Sequence, residues 1–303
     1  MKVALLSGGV GGARLARGFE ALTGVDTTVV VNVGDDERVY GLAVSPDLDT
    51  VIYTMAGVEG PQGWGRRSDS RAVMDELARF GVDTSFTVGD RDLALNLYRT
   101  NRLAEGGTLS EVTRELSAAF GLRSSILPST DESLRTEVCL AESGEWIDFQ
   151  TYFVKRRHAD QITAVRFAGG GDVAPAPGVT AAIAGADLVV IGPSNPVLSV
   201  WPILAVTGIE AAIRARGRVL AVSPLIGGRA VKGPAAEVLE ALGFETGSEG
   251  VLAAYRGLVT DLVVDGADAG SVATPGVTEH VTDTMMPTRE ASERLAREIV
   301  SWL

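Results

Sequence analysis

The chain has 303 residues, 46% of them hydrophobic, with 36 glycines and a formal net charge of −12. That length holds one elaborated domain or two, and the acidic balance argues against nucleic acid or an anionic membrane as partner. A single cysteine, Cys139, excludes an internal disulfide framework; with no signal peptide and no apolar run of ~18 residues, a soluble cytoplasmic protein is expected.

The first apolar run, residues 2–6, predicts a strand covered on both faces. It leads into Ser7-Gly8-Gly9-Val10-Gly11-Gly12-Ala13-Arg14, after which Leu15, Phe19 and Leu22 recur at helical spacing. A strand, a glycine-rich turn and a helix N-terminus suit phosphate. First-turn amides lack intrahelical acceptors, the helix end is partly positive, and glycines admit a close approach of the backbone. Gly8, Gly9, Gly11 and Gly12 are therefore candidate phosphate-binding positions. The spacing fits neither common class: a dinucleotide fingerprint from Gly9 meets Arg14 at its third small position, and a Walker loop from Gly8 meets Ala13-Arg14 instead of Gly-Lys.

Residues 27–33 predict a second strand, and the right-handed crossover of this βαβ unit brings both strand ends to one edge. There Gly34-Asp35-Asp36 follows. Asp35 reads as an acid for an adenosine ribose, as a ligand to Mg²⁺ shared with phosphates, or as a solvated turn. Ser45-Pro46-Asp47-Leu48-Asp49 starts a helix, with Ser45 as N-cap and Pro46 in the first turn, where acids also favour the dipole. Asp47 and Asp49 are two apart and point in different directions, so at most one joins Asp35; Asp49 is the one favoured, and the pair forms a candidate divalent-metal site.

From about residue 50 to about 130 helical patterns dominate, including Val73, Leu77 and Phe80, then Leu93, Leu97 and Leu103, and a capping box at Thr108 and Glu111. Trp64, between Gly63 and Gly65, either stacks on a flat ring or packs as core. In Gly89-Asp90-Arg91-Asp92, Asp90 is an N-cap or a binding residue, and Arg91 offers a bidentate guanidinium to a diphosphate.

Residues 138–140 and 146–153 predict an antiparallel hairpin, and 187–191 and 219–222 two parallel strands around a helix over 208–216. A helix over 234–242, a strand over 262–264 and an amphipathic helix over 290–303 close the chain. Ser194-Asn195, held between two prolines, and Ser223 with Gly227-Gly228 form turns at the same sheet edge, as binding elements or as structure only. His158 and His280 are too few for a histidine metal centre or a triad. The fold expected is α/β and Rossmann-like, a mostly parallel sheet with helices on both faces. It forms one domain with a core over about 1–49 and 136–303 and a mainly helical insertion over about 50–130.

In order along the chain, GGVGGARL from Gly8, VNVGDD from Val31, SPDLDT from Ser45, GWG from Gly63, GDRDLA from Gly89, LPSTDE from Leu127, GPSNP from Gly192 and SPLIGG from Ser223 resemble the 2-phospho-L-lactate transferase family (CofD, FbiA) of coenzyme F(420) biosynthesis. The resemblance implies transfer of a phospholactyl, phosphoenolpyruvyl or phosphoglyceryl group from a guanosine diphosphate conjugate to the ribityl hydroxyl of the deazaflavin FO, with release of GMP. It also implies Mg²⁺ and a homodimer. Under it, Asp35 and Asp49 hold the metal, and Arg91 and the glycine turn neutralise charge. Asp36 and Asp90 flank the site, Ser194, Asn195, Ser223, Gly227 and Gly228 hold the guanosine part, and Trp64 walls the deazaflavin. Two other functions use the same opening unit: an NAD(P)-dependent oxidoreductase, with Asp35 on the ribose, and a non-enzymatic nucleotide-sugar-binding regulator resembling the gluconeogenesis-factor proteins.

Overall fold

Seven parallel strands form the centre of the fold in a computed structural model that describes residues 1–302. They are β1 (Lys2–Ser7), β2 (Asp26–Val31), β3 (Ser125–Pro128), β4 (Leu188–Ile191), β5 (Val219–Val222), β6 (Asp261–Asp265) and β7 (Thr278–Thr282). Their order across the sheet is β7-β6-β5-β4-β1-β2-β3, the doubly wound dinucleotide-fold order with one strand added at an edge. Every residue of β4 and β5 is buried, which is why these strands are continuous apolar runs: helices cover both faces. The edge strand β7, Thr-Glu-His-Val-Thr, has no buried residue and no such run.

Five helices shape the site: α1 (Gly9–Ala21), α2 (Pro46–Ala56), α3 (Ala72–Arg79), α4 (Asp90–Ala104) and α5 (Leu109–Ala119). α1 packs on α2 and on the C-terminal helix Arg289–Ser301. Gly18 makes the second contact possible, since a Cβ there would lie 2.1 Å from the Ser292 carbonyl oxygen. The expectation that the last helix reaches Leu303 falls, at that residue, outside the described part of the chain. The capping box of α5 is present, Thr108 and Glu111 each accepting the other's backbone N–H.

The helical insertion is shorter than expected from sequence. α2 packs against α1 and β2 as part of the core layer, and β3 pairs with β2 inside the stretch read as helical. The hairpin is present, with Val138 opposite Ile147, but its second strand ends at Asp148; residues Thr151–Lys155 turn as a π-helix, and Ile162–Ala168 adds a third strand. Among the described residues no helix is long and apolar enough to cross a membrane.

Candidate active site

β1 lies between β2 and β4, and the chain leaves it toward opposite sides of the sheet, so a crevice opens beyond the carboxyl ends of β1 and β4. The glycine turn after β1 meets Pro193-Ser194 after β4 in that crevice. The Ser194 hydroxyl accepts from the Gly8 amide (3.1 Å) and donates to the Gly8 carbonyl (2.7 Å). Gly9 has φ +62°, and a Cβ on Gly11 would stand 2.1 Å from the Pro193 carbonyl oxygen, so the turn closes only with glycine at both positions. The first turn of α1 thereby floors a cleft of about 890 Å³. The Val10 and Gly11 amides, in that first turn, have no intrahelical acceptor.

Buried carboxylates converge beside this floor. Asp47 Oδ1 accepts from the Gly9 amide (2.8 Å) and Oδ2 from Asn32 Nδ2 (2.9 Å), tying α2 to the glycine turn and to the residue after β2. Asp35 is 7% exposed, and its Oδ1 has no hydrogen-bond partner. Burial, and then the nearby Asp47 charge, hold the Asp35 carboxyl well above the usual carboxylate range. Burial pushes Asp47 up to about 6 against the hydrogen bonds from Asn32 and Gly9. Among the described residues no three His, Cys, Asp or Glu side chains gather as a metal-ligand set. Two close carboxylates with one orphaned buried oxygen suit a hard divalent cation that takes its remaining ligands from water and phosphate.

Asp49, the partner favoured from sequence, also lines the cleft but is engaged by a buried arginine. Arg99 of α4, 1% exposed, donates to both Asp49 oxygens, to Oδ2 at 3.2 Å, and also to Asn96 Oδ1 at 2.8 Å. Asp47 takes the place beside Asp35 because α2 rests on α1, while Asp49 and Tyr53 of α2 reach Arg99 and Asp92 of α4 through hydrogen bonds. Ser45, expected to cap α2 through its side chain, instead donates its hydroxyl to Asp36 Oδ2 at 2.7 Å. Burial pushes Asp36 up to about 8 despite that bond.

The insertion supplies the opposite wall. Arg17 donates to Glu59 Oε1 (3.0 Å), and the Glu59 and Arg66 backbones form an antiparallel bridge across a tight loop closed by Gly60 N to Gly65 O (2.9 Å). That loop presents Trp64, 50% exposed, with the Lys232 ammonium 4.2 Å from its ring centroid. Tyr53 donates to Asp92 Oδ1 (2.7 Å), and burial with the Asp49 charge pushes Asp92 up to about 6. Phe149, Phe153 and His158 stack at centroid separations of 5.2 and 5.1 Å and also line the cleft. Two π-helical turns, Thr151–Lys155 and Pro196–Val200, border it, a backbone form frequent at functional sites.

Of the positions singled out from sequence, Gly8, Gly9, Gly11, Asp35, Asp49, Trp64, Ser194, Asn195 and Ser223 line this cleft. Gly12 lies beneath it, packed on Ser7 and Ser194. Four others are engaged outside the lining. Asp36 is held by Ser45; Asp90 accepts from the Ala72 and Val73 amides (both 3.0 Å) and so caps α3 rather than its own helix. The Gly227 and Gly228 amides donate to Asp268 (2.8 and 2.9 Å). Arg91 is exposed and stands outside the lining; Asp69 accepts from its backbone amide (2.9 Å). Asn195 Oδ1 is engaged by the Val197 and Leu198 amides (3.0 and 3.1 Å). The lining also includes Arg14, Asp47, Asp92 and Lys232, which sequence did not assign to it; Arg14 carried a signal as the residue that breaks the dinucleotide spacing.

The fold resembles a UPF0052-family protein from Bacillus halodurans, with a TM-score of 0.65 at 19% identity over 99% of this chain and 98% of that one. Among curated relatives, the phosphoenolpyruvate transferase of Streptomyces griseus is 41% identical, covering 98% of this chain and 97% of its own length. The 2-phospho-L-lactate transferase of Methanopyrus kandleri is 38% identical, covering 99% and 97%. A family model described as 2-phospho-L-lactate transferase CofD matches residues 3–299. With the glycine turn, the acids after β2 and in α2, and the β4 turn all within that match, the chain belongs to the CofD family of transferases.

Proposed function

We propose that this transferase moves a phospholactyl, phosphoenolpyruvyl or phosphoglyceryl group from a guanosine diphosphate conjugate to the ribityl hydroxyl of the deazaflavin FO, releasing GMP, in coenzyme F(420) biosynthesis. The observation that carries this reading is the pair Asp35 and Asp47, buried beside an N-terminal helix turn that sits at the switch point of the sheet. Neither acid is comfortable alone, and Mg²⁺ bound with a diphosphate satisfies both. When bound, the ion supplies charge stabilisation on the diphosphate oxygens. Asp35 and Asp47 are its protein ligands in this proposal, and Asp49 is left to Arg99.

The chain's own groups do the rest. The Val10 and Gly11 amides donate to phosphate oxygens and stabilise charge that develops toward the GMP leaving group. Asp92, raised to about 6, is ionised at neutral pH yet basic enough to accept the ribityl hydroxyl proton. Phosphoryl transfer depends mainly on positioning and electrostatics, so one modest base suffices. Trp64 and the Phe149-Phe153-His158 stack offer flat walls for the deazaflavin, and a cleft of about 890 Å³ has room for two substrates. A homodimer is part of the proposal, supported by Phe80 (75% exposed) and Leu97 (50%) on the insertion, and a cytoplasmic location goes with it.

A mass-spectrometric assay with FO, Mg²⁺ and the three guanosine conjugates tests the reaction and identifies the donor together. One mass-shifted FO product with GMP is expected; no product from any conjugate sinks the reading. Sedimentation of the purified protein tests the dimer.

A further inference from the structure

The cations that line the cleft are not equivalent. Arg66 lies over the Tyr53 and Phe120 rings (5.5 and 5.1 Å), and Arg71 donates to Thr87 Oγ1 (2.7 Å). Among the described residues Arg14 has no hydrogen bond, salt bridge or ring contact, and Lys232 has a ring contact only. Lys232 rests on the Trp64 ring at 4.2 Å, and its ammonium is 3.3 Å from where a Gly63 Cβ would stand, with Val10 Cγ1 2.7 Å from the same point. Arg14 is four residues beyond Val10 on α1 and so shares its face, one helical turn from the phosphate-facing amides. Burial and the Arg14 charge both lower the Lys232 pKa, and no carboxylate opposes them. Two cations thus face one cleft, close enough to repel.

We infer that Arg14 and Lys232 form a carboxylate subsite, holding the carboxylate of the small acid esterified to the donor's terminal phosphate. The inference rests on the transferase reading above. Phosphoenolpyruvate and 2-phospholactate, the groups in the relatives' names, share a carboxylate on the carbon next to the phosphate ester. The diphosphate has its own partners in the α1 amides and the acid pair. The carboxylate is the remaining anion, and it lies beyond the terminal phosphate, as Arg14 lies beyond Val10. A guanidinium and an ammonium together hold a carboxylate by charge-assisted hydrogen bonds, and Trp64 keeps the ammonium in place without neutralising it. Arg14 therefore breaks the dinucleotide spacing because its position binds an acid, where a dinucleotide fold needs a small residue for helix packing.

The test is calorimetric binding of three probes to the full chain with Mg²⁺: GDP, the guanosine conjugate of 2-phospholactate, and the carboxamide analogue of that conjugate. The wild type is expected to bind the acid roughly ten- to a hundred-fold more tightly than the carboxamide, the usual value of charge-assisted bonds to one anion. Arg14→Gln/Lys232→Gln is expected to bind both alike while keeping its GDP affinity, which also reports an intact fold, and Arg14→Lys recovers part of the preference. No preference in the wild type, a preference that survives in the double variant, or an equal loss of GDP affinity each overturns the subsite. Failure of the transferase reading shows separately, as no FO product from a wild type that still discriminates between the acid and its carboxamide.

Discussion

α2 and α4 begin alike and end up doing different work. Each carries two acids two residues apart in its first turn, Asp47 and Asp49 in one, Asp90 and Asp92 in the other. In each pair one acid is tied into the scaffold, although in α2 both Asp47 and Asp49 line the cleft. Asp90 sits at the exposed surface, where a hydrogen bond with Ser70, and then those from the Val73 and Ala72 amides, hold it below the usual carboxylate range. Asp49 has the opposite setting, locked under the core on a buried arginine. Asp47 and Asp92 line the cleft with no salt bridge among the described residues, and burial raises each to about 6. The same sequence pattern therefore acquires three electrostatic characters, decided by burial and by which donor arrives.

Breaking the comparison at its most buried point should have the largest effect. Asp49→Asn leaves Arg99 without its counter-charge and is expected to cost about 3–5 kcal/mol, as removal of one partner from a buried pair does; urea unfolding measures it, and unchanged stability would refute the scaffold role. Asp47→Asn should fold nearly as well but lower kcat roughly 10²- to 10³-fold, and Asp92→Asn roughly 10²-fold with the acidic limb of the pH profile altered. Steady-state assays over a Mg²⁺ series separate the two, because Mg²⁺ above the level that saturates the wild type should partly rescue Asp47→Asn only.

The raised acids also set a pH dependence. The folded state holds protons on Asp47 and Asp92 up to about 6, and on Asp36 up to about 8, whereas the unfolded chain releases them near 4. The folded state thus binds more protons in that window, so these groups make metal-free stability fall as pH rises through it. Asp47→Asn should flatten the slope. Mg²⁺ binding expels protons, so its thermal stabilisation should be larger at about pH 8 than at about pH 5. Calorimetric melts at the two pH values check both signs. The smallest effect belongs to the exposed partner: Asp90→Ala should lower the melting temperature slightly by uncapping α3, with kinetics unchanged within about two-fold.

Much of the fold was legible because parallel strands buried on both faces write themselves as apolar runs, as in Leu188–Ile191 and Val219–Val222. β3 and β7 were missed for the converse reason. Ser-Ile-Leu-Pro and Thr-Glu-His-Val-Thr are edge strands, short or half exposed, with no periodicity to read. Within the site, the glycine turn and Asp35 were visible because local chain geometry creates them. Arg99 was not: an arginine in the middle of a helix looks like a solvated face until another helix packs against it. Lys232 sits among glycine and proline, and nothing in that loop announces Trp64.

Sequence by itself determined that a glycine turn and a helix start stand at the end of the first strand, since these are local events, and it determined the family through motifs spread along the chain. Only the tertiary structure decided which carboxylate faces which. Residues two apart on a helix point to different sides, and the packing of α2 on α1 gives Asp47 to the glycine turn while Asp49 meets Arg99 of α4. The fold likewise brings Arg14 of α1 and Lys232 of the loop after β5, 218 positions apart by their numbers, to one wall of the cleft. Spacing along the chain cannot encode that meeting, because it depends on how the loops after β2 and β5 fold back over the sheet edge.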